Sequence, residues 1–330
     1  MSLDCPTSPS FLSTPQGFTT VCHVITILET PLHVLGIYCI LAKTPEKMKN
    51  AKFSLLNLHL ITIFVYLTMG CLLIPFVILP SLAGWPLGLL QRLGIPIGVQ
   101  VYIGVTSAAL TGVAILAVFE NRYYRVFTDF HWEKVRKWYL FGNYFLALVF
   151  FIYPFIWLPE QESSRRIVFQ KIPCAAETFG LDPDTLYVLS LNPYAIISGP
   201  AFMVIFIISQ ICGLFVIIVR NMTTKHRSLS PNTYQIQKKF LIAITVHFLV
   251  AVLFVECPTG MIVYATLTDD SNQTLNNLCF IILNFYGVVS TIVIITCHQP
   301  YREWIVGLFR VRETHKTSLS STQFPKTSVL

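Results

Sequence analysis

Residues 240–264 read FLIAITVHFLVAVLFVECPTGMIVY, a run of 25 residues in which Glu256 is the only Asp, Glu, Lys or Arg. About 20 predominantly apolar residues in a helix cross a hydrocarbon core about 30 Å thick. Lipid offers the backbone no hydrogen-bonding partner, so a segment of this kind is helical when it crosses a membrane. The stretch therefore predicts a membrane-spanning helix.

Six further apolar segments of similar length accompany it. The seven predicted spans are residues 19–41, 53–74, 100–118, 138–158, 196–219, 240–264 and 278–297. Residues 75–99 are also apolar, but they contain four prolines and four glycines, which disfavour a continuous helix. We interpret them as an outer loop with Trp85 at the membrane interface. The predicted fold is all-α, a bundle of seven transmembrane helices.

Composition supports this fold class. Of the 330 residues, 54% are hydrophobic and 12% are charged, against about 25% charged in an average soluble domain. The net charge of +7 does not indicate nucleic-acid binding, because the basic residues lie in the gaps between apolar runs and no nucleic-acid motif occurs. The nine cysteines include no CxxC pair, and most lie in apolar runs, where cysteine is usually a small buried hydrophobe.

The basic residues also predict the orientation. Counted over alternate gaps, four of the 23 lysines and arginines fall on the side of the amino terminus and nineteen on the other. Because cytoplasmic loops carry the excess of positive charge, the amino terminus is expected outside. The sequon at Asn272 lies in the last outer loop, where it predicts glycosylation.

Four regions follow from this topology. Residues 1–18 are an extracellular arm, and residues 19–298 form the seven-helix domain. Residues 299–312 place their large apolar side chains on one helical face, which predicts a short amphipathic helix in the membrane interface. Residues 313–330 are rich in Ser, Thr and Lys, and we expect a disordered cytoplasmic tail.

Ionisable residues inside spans are costly and are candidates for function. Glu29 and His33 lie four residues apart in the first span and would share one face, as an interhelical clasp or as a functional pair. Glu256 lies just before Pro258, which would loosen the helix there, and it would face a ligand cavity or a structural partner. Further histidines occur within spans at His23, His59 and His247.

The third span ends in Glu120-Asn121-Arg122-Tyr123. An acid two residues before an arginine, at the cytoplasmic end of this span, resembles the E/DRY signature of rhodopsin-like receptors. That resemblance implies an arginine held by the neighbouring acid and released to meet a G protein, with Asn121 between them. A positive anchor at the membrane surface is the alternative.

Longer stretches resemble one family of receptors. They are Thr30-Pro31-Leu32-His33, Gly36-Ile37-Tyr38-Cys39-Ile40-Leu41, Lys43-Thr44-Pro45, Met48, Leu55-Leu56-Asn57-Leu58-His59, Phe119-Glu120-Asn121-Arg122-Tyr123-Tyr124 and His298-Gln299-Pro300-Tyr301-Arg302. In these stretches the chain is similar to the nematode serpentine receptor class H chemoreceptors, from about residue 11 to residue 304. The resemblance implies a GPCR-like receptor in the plasma membrane of sensory-neuron cilia, which detects an odorant or a soluble chemical and signals through a heterotrimeric G protein.

The chain departs from the rhodopsin-like pattern in two places. No cysteine lies between Cys71 and Cys174, so the usual disulfide from the top of the third span to the second outer loop is missing. We hypothesise instead that Cys174 pairs with Cys5 in the oxidising outer compartment. The seventh span lacks an NPxxY motif, and Tyr301 and Arg302 stand in its place as switch candidates.

Our functional interpretation is a receptor that binds a small, largely apolar molecule in an outer cavity between the third, fifth, sixth and seventh spans. Its candidate wall residues are Gln100, Tyr102, Glu256, Tyr264 and Tyr286. No enzyme, cofactor or metal motif is recognised, and the four span histidines lack the spacing of one helical metal site. The alternatives are a small-solute transporter or channel, for which no internal symmetry is seen, and a membrane-embedded enzyme.

Overall fold

The computed structural model describes residues 10–126, 130–173, 175–224 and 230–307. Within them, seven helices have the length and apolar composition needed to cross a membrane, which confirms the predicted bundle. The helices are α1 Pro15–Ala42, α2 Lys49–Leu67, α3 Ile97–Val126, α4 Phe130–Phe150, α5 Pro193–Thr224, α6 beginning with Pro231–Ala251, and α7 Gln273–Cys297. Most extend a few residues beyond the predicted spans.

Two of these helices contain a π-helical segment. α2 continues as a π-helix at Thr68–Leu72, and α6 passes through a π-helix at Val252–Glu256 before resuming as Cys257–Leu267. Pro258 has no backbone N–H, and its ring crowds the carbonyl of the preceding turn. The helix is therefore irregular just before Pro258, as expected from the sequence, and the irregularity is a π-helical turn.

Several helices begin at residues with strong capping chemistry. The side chains of Thr14, Ser230 and Asn272 accept hydrogen bonds from the backbone N–H groups at the starts of α1, α6 and α7. Each satisfies a donor that the first turn would leave unpaired. α1 and α6 also have proline in the first turn, where a missing N–H costs nothing.

The outer end carries a small β-sheet that the sequence did not predict. The strands β1 Pro75–Ile78, β2 Ala83–Pro86 and β3 Tyr187–Val188 pair antiparallel in the order β1-β2-β3. We call the three strands and their connections the cap. Trp85 is 4% exposed, so it lies inside the cap and not at the membrane interface. Its Nε1 donates to the Asp182 carbonyl over 3.0 Å.

Shorter helical elements complete the described chain. They are the helices Leu89–Arg92, Tyr153–Ile156, Gln161–Lys171 and Ala175–Phe179, and the 3₁₀ turns Phe11–Ser13, Glu46–Met48 and Pro183–Thr185. Residues 299–307 are also helical and follow α7 directly. Residues 308–312 of the predicted interfacial helix, and the tail 313–330, lie outside the described residues.

Side-chain hydrogen bonds attach the cap to the rest of the molecule. Gln161 bonds both backbone groups of Val188, each over 3.0 Å, and Arg165 Nε donates to the Leu186 carbonyl over 2.7 Å. On the other side, the amides of Gln273 and Asn276 on α7 donate to the Val77 carbonyl. The apolar core of the cap is Phe18, Phe76, Trp85, Leu186 and Val188.

The main core lies around α3, and the outward faces are apolar. Residues 113–121 of α3 are all buried. By contrast, Ile27, Leu28 and Ile205 are about 70% exposed on the outer faces of their helices. Large apolar side chains facing outward on this scale fit a surface covered by lipid.

A polar contact joins α1, α2 and α7 in the middle of the bundle. Glu29 and His33 are 1% and 2% exposed, with Glu29 Oε2 and His33 Nε2 3.5 Å apart. His33 Nδ1 lies 3.0 Å from Thr291 Oγ1, and His59 Nε2 donates to the His33 carbonyl over 3.1 Å. His33 therefore forms the interhelical clasp among the sequence-based alternatives, whereas the Glu29 oxygens form no hydrogen bond with a described residue.

Gly287 on α7 lets this contact form. A Cβ atom at this position would come within 2.7 Å of Glu29 Oε2 and 3.0 Å of His33 Nε2. Gly213 on α5 has no neighbour within 4 Å of the same virtual atom among the described residues. The two glycines therefore differ in the space available to a methyl group.

We expect Gly287→Ala to destabilise the protein by about 1–3 kcal/mol, because the methyl group overpacks the α1–α7 contact. The melting temperature of the purified full chain in detergent measures this. Gly213→Ala is the control, and it should stabilise the helix by about 0.5–1 kcal/mol. Equal melting temperatures for the two variants would contradict the close packing at Gly287.

Candidate ligand cavity and cytoplasmic switch

A cavity of about 340 Å³ lies between α3, α5, α6 and the cap. Small residues of α3 leave the space, namely Gly104, Ala108, Ala109 and Gly112. Larger side chains close it, namely Phe76 and Trp85 from the cap, Met203, Ile207 and Ile211 from α5, Val255 from α6 and Leu283 from α7. The volume falls in the range of small-molecule sites, about 300–1,000 Å³.

The lining is almost entirely apolar, and its polar side chains differ in their hydrogen bonding. The hydroxyls of Thr111 and Thr259 already donate to backbone carbonyls of their own helices. The Tyr187 hydroxyl is buried and forms no hydrogen bond with any described residue. Burial raises the pKa of Tyr187, so this group is a neutral hydroxyl at physiological pH. Glu256 is the remaining polar side chain of the wall.

Of the five predicted wall residues, one lines the cavity and four lie elsewhere. Glu256 lines the cavity, whereas Gln100, Tyr102, Tyr264 and Tyr286 do not. Gln100 is buried and its amide donates to the Ile95 carbonyl, while the Tyr102 hydroxyl donates to the Leu148 carbonyl. Tyr264 is 67% exposed on the outer surface of α6, and Tyr286 is fully buried within the main core.

At the cytoplasmic end, Glu120 is fully buried and bound by α4. Its two carboxylate oxygens accept from Nε and Nη2 of Arg136 over 3.0 and 2.9 Å. Trp132 Nε1 donates to Oε1 over 2.9 Å, and Arg136 Nη2 lies 3.5 Å from Asn121 Oδ1. A bidentate pair of this kind is the strongest form of arginine–carboxylate contact.

Arg122 contacts α6 and does not pair with Glu120. Its Nη2 donates to the Gln237 carbonyl over 3.0 Å, and its guanidinium lies 5.3 Å from the centre of the Phe240 ring. Residues two apart on a helix point in different directions. The acid and the arginine of the motif therefore reach different neighbours, which corrects the expectation that the acid next to Arg122 holds it.

The residues that follow α7 also pack against Phe240 of α6, next to Arg122. The His298 ring lies 5.4 Å from the Phe240 ring and 5.7 Å from the Tyr301 ring. Tyr301 is fully buried with its hydroxyl 2.7 Å from Thr44 Oγ1, and Arg302 Nη1 donates to the Thr296 carbonyl. Burial lowers the pKa of His298 to about 4, so its ring is neutral at physiological pH.

The other predicted sites have simpler outcomes. Cys5 and Cys174 lie outside the described residues, so their disulfide stays a prediction. Asn272 is exposed at the start of α7, and its side chain caps that helix. The histidines do not converge on one point, because His247 binds Ser290 and His23 is exposed. In the described part of the chain, no group of three potential ligands fits a metal ion.

Comparison with known proteins supports a receptor family. A family model described as serpentine type 7TM GPCR chemoreceptor Srh matches residues 13–311. The Caenorhabditis elegans protein named serpentine receptor class H-72 is 29% identical over 314 residues, which cover 92% of this chain and 89% of that protein. The crystal structure of squid rhodopsin matches with a TM-score of 0.56 at 12% identity, covering 98% of this chain and 95% of the rhodopsin chain. The likeness to rhodopsin shows the fold alone.

We expect Arg136→Ala to destabilise the protein by about 3–5 kcal/mol, because it leaves the Glu120 carboxylate buried without its cation. Arg166→Ala removes the exposed pair with Glu162, whose side chains are 75% and 73% exposed, and it should change stability by less than about 1 kcal/mol.

Thermal unfolding of the purified variants in detergent measures both effects. The double variant Glu120→Gln with Arg136→Ala should recover part of the loss, because no charge is left buried. An Arg136→Ala protein as stable as the Arg166→Ala protein would refute the structural role of the Glu120–Arg136 pair.

Proposed function

The chain belongs to the Srh family of serpentine seven-transmembrane chemoreceptors, and from this premise we propose that it binds a small chemical in the outer cavity and activates a heterotrimeric G protein. The observation that carries the proposal is the cavity itself, which is apolar, partly enclosed by the cap, and bounded by α6. α6 also supplies the contacts of Arg122 at the opposite end of the bundle.

The position of Glu256 supports a connection between the two ends. Glu256 is the last residue of the π-helical segment, and Gln237 and Phe240 lie toward the cytoplasmic end of the same helix. A ligand shifts a conformational equilibrium only by the difference in its affinity for the two states. A ligand in contact with the π-helical segment acts on the part of α6 whose backbone geometry departs from the α-helix.

The cytoplasmic end supplies the proposed switch. Arg122 is held by a backbone carbonyl and an aromatic ring of α6, so movement of that helix would release it. Glu120 stays paired with Arg136 of α4 in this arrangement. We place the receptor in the plasma membrane of sensory-neuron cilia, where an environmental chemical reaches the outer face. We also propose the Cys5–Cys174 disulfide and glycosylation at Asn272 on that face.

We expect Arg122→Ala to abolish ligand-dependent signalling in cells that express the receptor with a promiscuous G protein, at equal surface amounts. A panel of volatile and soluble chemicals first identifies an activator of the unchanged protein. Arg125→Ala removes the same charge from a nearby exposed position, and it should retain signalling.

Two outcomes would contradict the proposed function. One is equal signalling by the Arg122→Ala and unchanged receptors, which removes Arg122 from the switch. The other is solute flux through vesicles containing the pure protein with no G-protein response to any chemical, which favours the transporter.

We also expect Ala108→Phe to abolish the response to every activator, because the added ring occupies the cavity beside α3. Ile205→Phe adds a ring on the outer face of α5, where the native side chain is 68% exposed, and it should leave the response unchanged. Dose–response curves at matched surface expression provide the measurement. An unaltered response of Ala108→Phe would place the ligand elsewhere.

A further inference from the structure

The cavity contains one group that its apolar wall does not explain. Among the described residues that line it, Glu256 is the only one with an acidic or basic side chain. The rest of the wall is largely apolar on both of the flanking helices, with Val252, Val255 and Ile262 from α6 and Met203 and Ile207 from α5. A carboxylate in such surroundings is costly unless it is paired.

No partner for Glu256 is found in the described part of the chain. None of the ion pairs or hydrogen bonds there includes its carboxylate. The two buried carboxylates within spans each lie beside a nitrogen base, since Glu120 binds Arg136 and Glu29 Oε2 lies 3.5 Å from His33 Nε2, although the Glu29 oxygens form no hydrogen bond with a described residue. Glu256 is therefore an acid that faces a space of about 340 Å³ without a cation of its own.

The charges in the cavity wall limit which kind of ligand could pair with Glu256. A carboxylate ligand would meet Glu256 with no described lysine, arginine or histidine in the lining to balance it. A neutral ligand would fill the apolar volume but leave the acid without a counter-charge. An ammonium group would supply the counter-charge and donate hydrogen bonds to both carboxylate oxygens, which is a charge-assisted contact.

We propose that the cavity selects a small apolar molecule with one protonated amine, whose ammonium group pairs with the Glu256 carboxylate. This inference rests on the proposed ligand cavity and adds the chemical class of its occupant. The hydrocarbon part of the amine lies against α3 and α5, and the Tyr187 hydroxyl from the cap adds a neutral hydrogen-bonding group at another part of the wall.

Binding to the purified full chain in lipid nanodiscs tests the proposal without a G protein. The probes are matched sets that share one carbon skeleton and differ in the polar group, such as phenethylamine, phenethyl alcohol and phenylacetate. Several linear and aromatic skeletons that fit the cavity are included. In every set that binds, the amine is expected to bind tightest and the carboxylate weakest.

Glu256→Gln is the decisive variant, because it keeps the shape of the side chain and removes its charge. Amine affinity should fall by about thirtyfold or more, as for truncation of a buried charge pair, while alcohol affinity changes little. Glu177→Gln makes the same exchange at an exposed outer position, and it should leave amine binding unchanged. Tyr187→Phe should weaken amine and alcohol binding to similar degrees.

The outcomes separate this inference from the proposed function. Amine binding that depends on Glu256 but produces no G-protein response supports the inference and refutes the signalling role. Alcohols or carboxylates that bind tightest and also trigger signalling refute the inference and leave the receptor role intact. Failure of every amine to bind, or equal amine affinity of Glu256→Gln and the unchanged protein, also refutes the inference.

Discussion

Inside a membrane, a polar side chain finds its hydrogen-bonding partner within the protein or not at all, and α7 is where this chain concentrates such groups. Asn277, Asn284 and Thr291 recur every seven residues, so they share one face of the helix, and His298 follows at the same spacing just beyond its end. Three of them reach other elements directly. Asn277 donates to the Leu12 carbonyl, Thr291 contacts His33, and His298 contacts Phe240.

This polar face fixes the neighbours of α7 along its length. Glycines occur where the polar groups come closest, since an added Cβ at Gly70 would meet both Thr26 and Asn284. Lipid tails are as apolar as leucine, so hydrophobic burial alone does not select one helix pairing over another. Close backbone packing and a few polar contacts supply that selection, and they hold α1, α2 and α7 together.

The cap shows how the outer surface is organised without a disulfide from the top of α3. Gln161 and Arg165 hold β3 by hydrogen bonds to its backbone, and two amides of α7 hold β1. Buried backbone groups need such partners wherever strands are too short to pair fully. The sequence did not reveal the sheet, because β1 and β2 contain proline or glycine and β3 is a two-residue strand that pairs with β2 over a separation of about a hundred residues.

The limits of the sequence follow from the same physics. The seven spans are predictable because apolar length is a local property of the chain. The rotation of each helix about its axis is not predictable from the sequence, because a span that is apolar on every side does not indicate which face is buried. The sequence therefore did not reveal that Gln100, Tyr102, Tyr264 and Tyr286 lie away from the cavity, whereas Glu256 lines it, as expected of a charged side chain that faces the interior of the bundle.

α6 is the helix that contacts both the outer cavity and Arg122 at the cytoplasmic end. Phe240, whose ring lies beside Arg122, and Glu256 in the cavity wall are separated along α6 by about 24 Å at 1.5 Å per residue. A π-helical turn holds more residues than an α-helical turn, so its conversion to α geometry would rotate one half of α6 against the other. Rotation of the half that carries Gln237 and Phe240 would break both contacts of Arg122, while Glu120 would remain bound to Arg136 on α4. In the proposed switch, the separate partners of Glu120 and Arg122 would let the arginine move while the buried carboxylate stays paired.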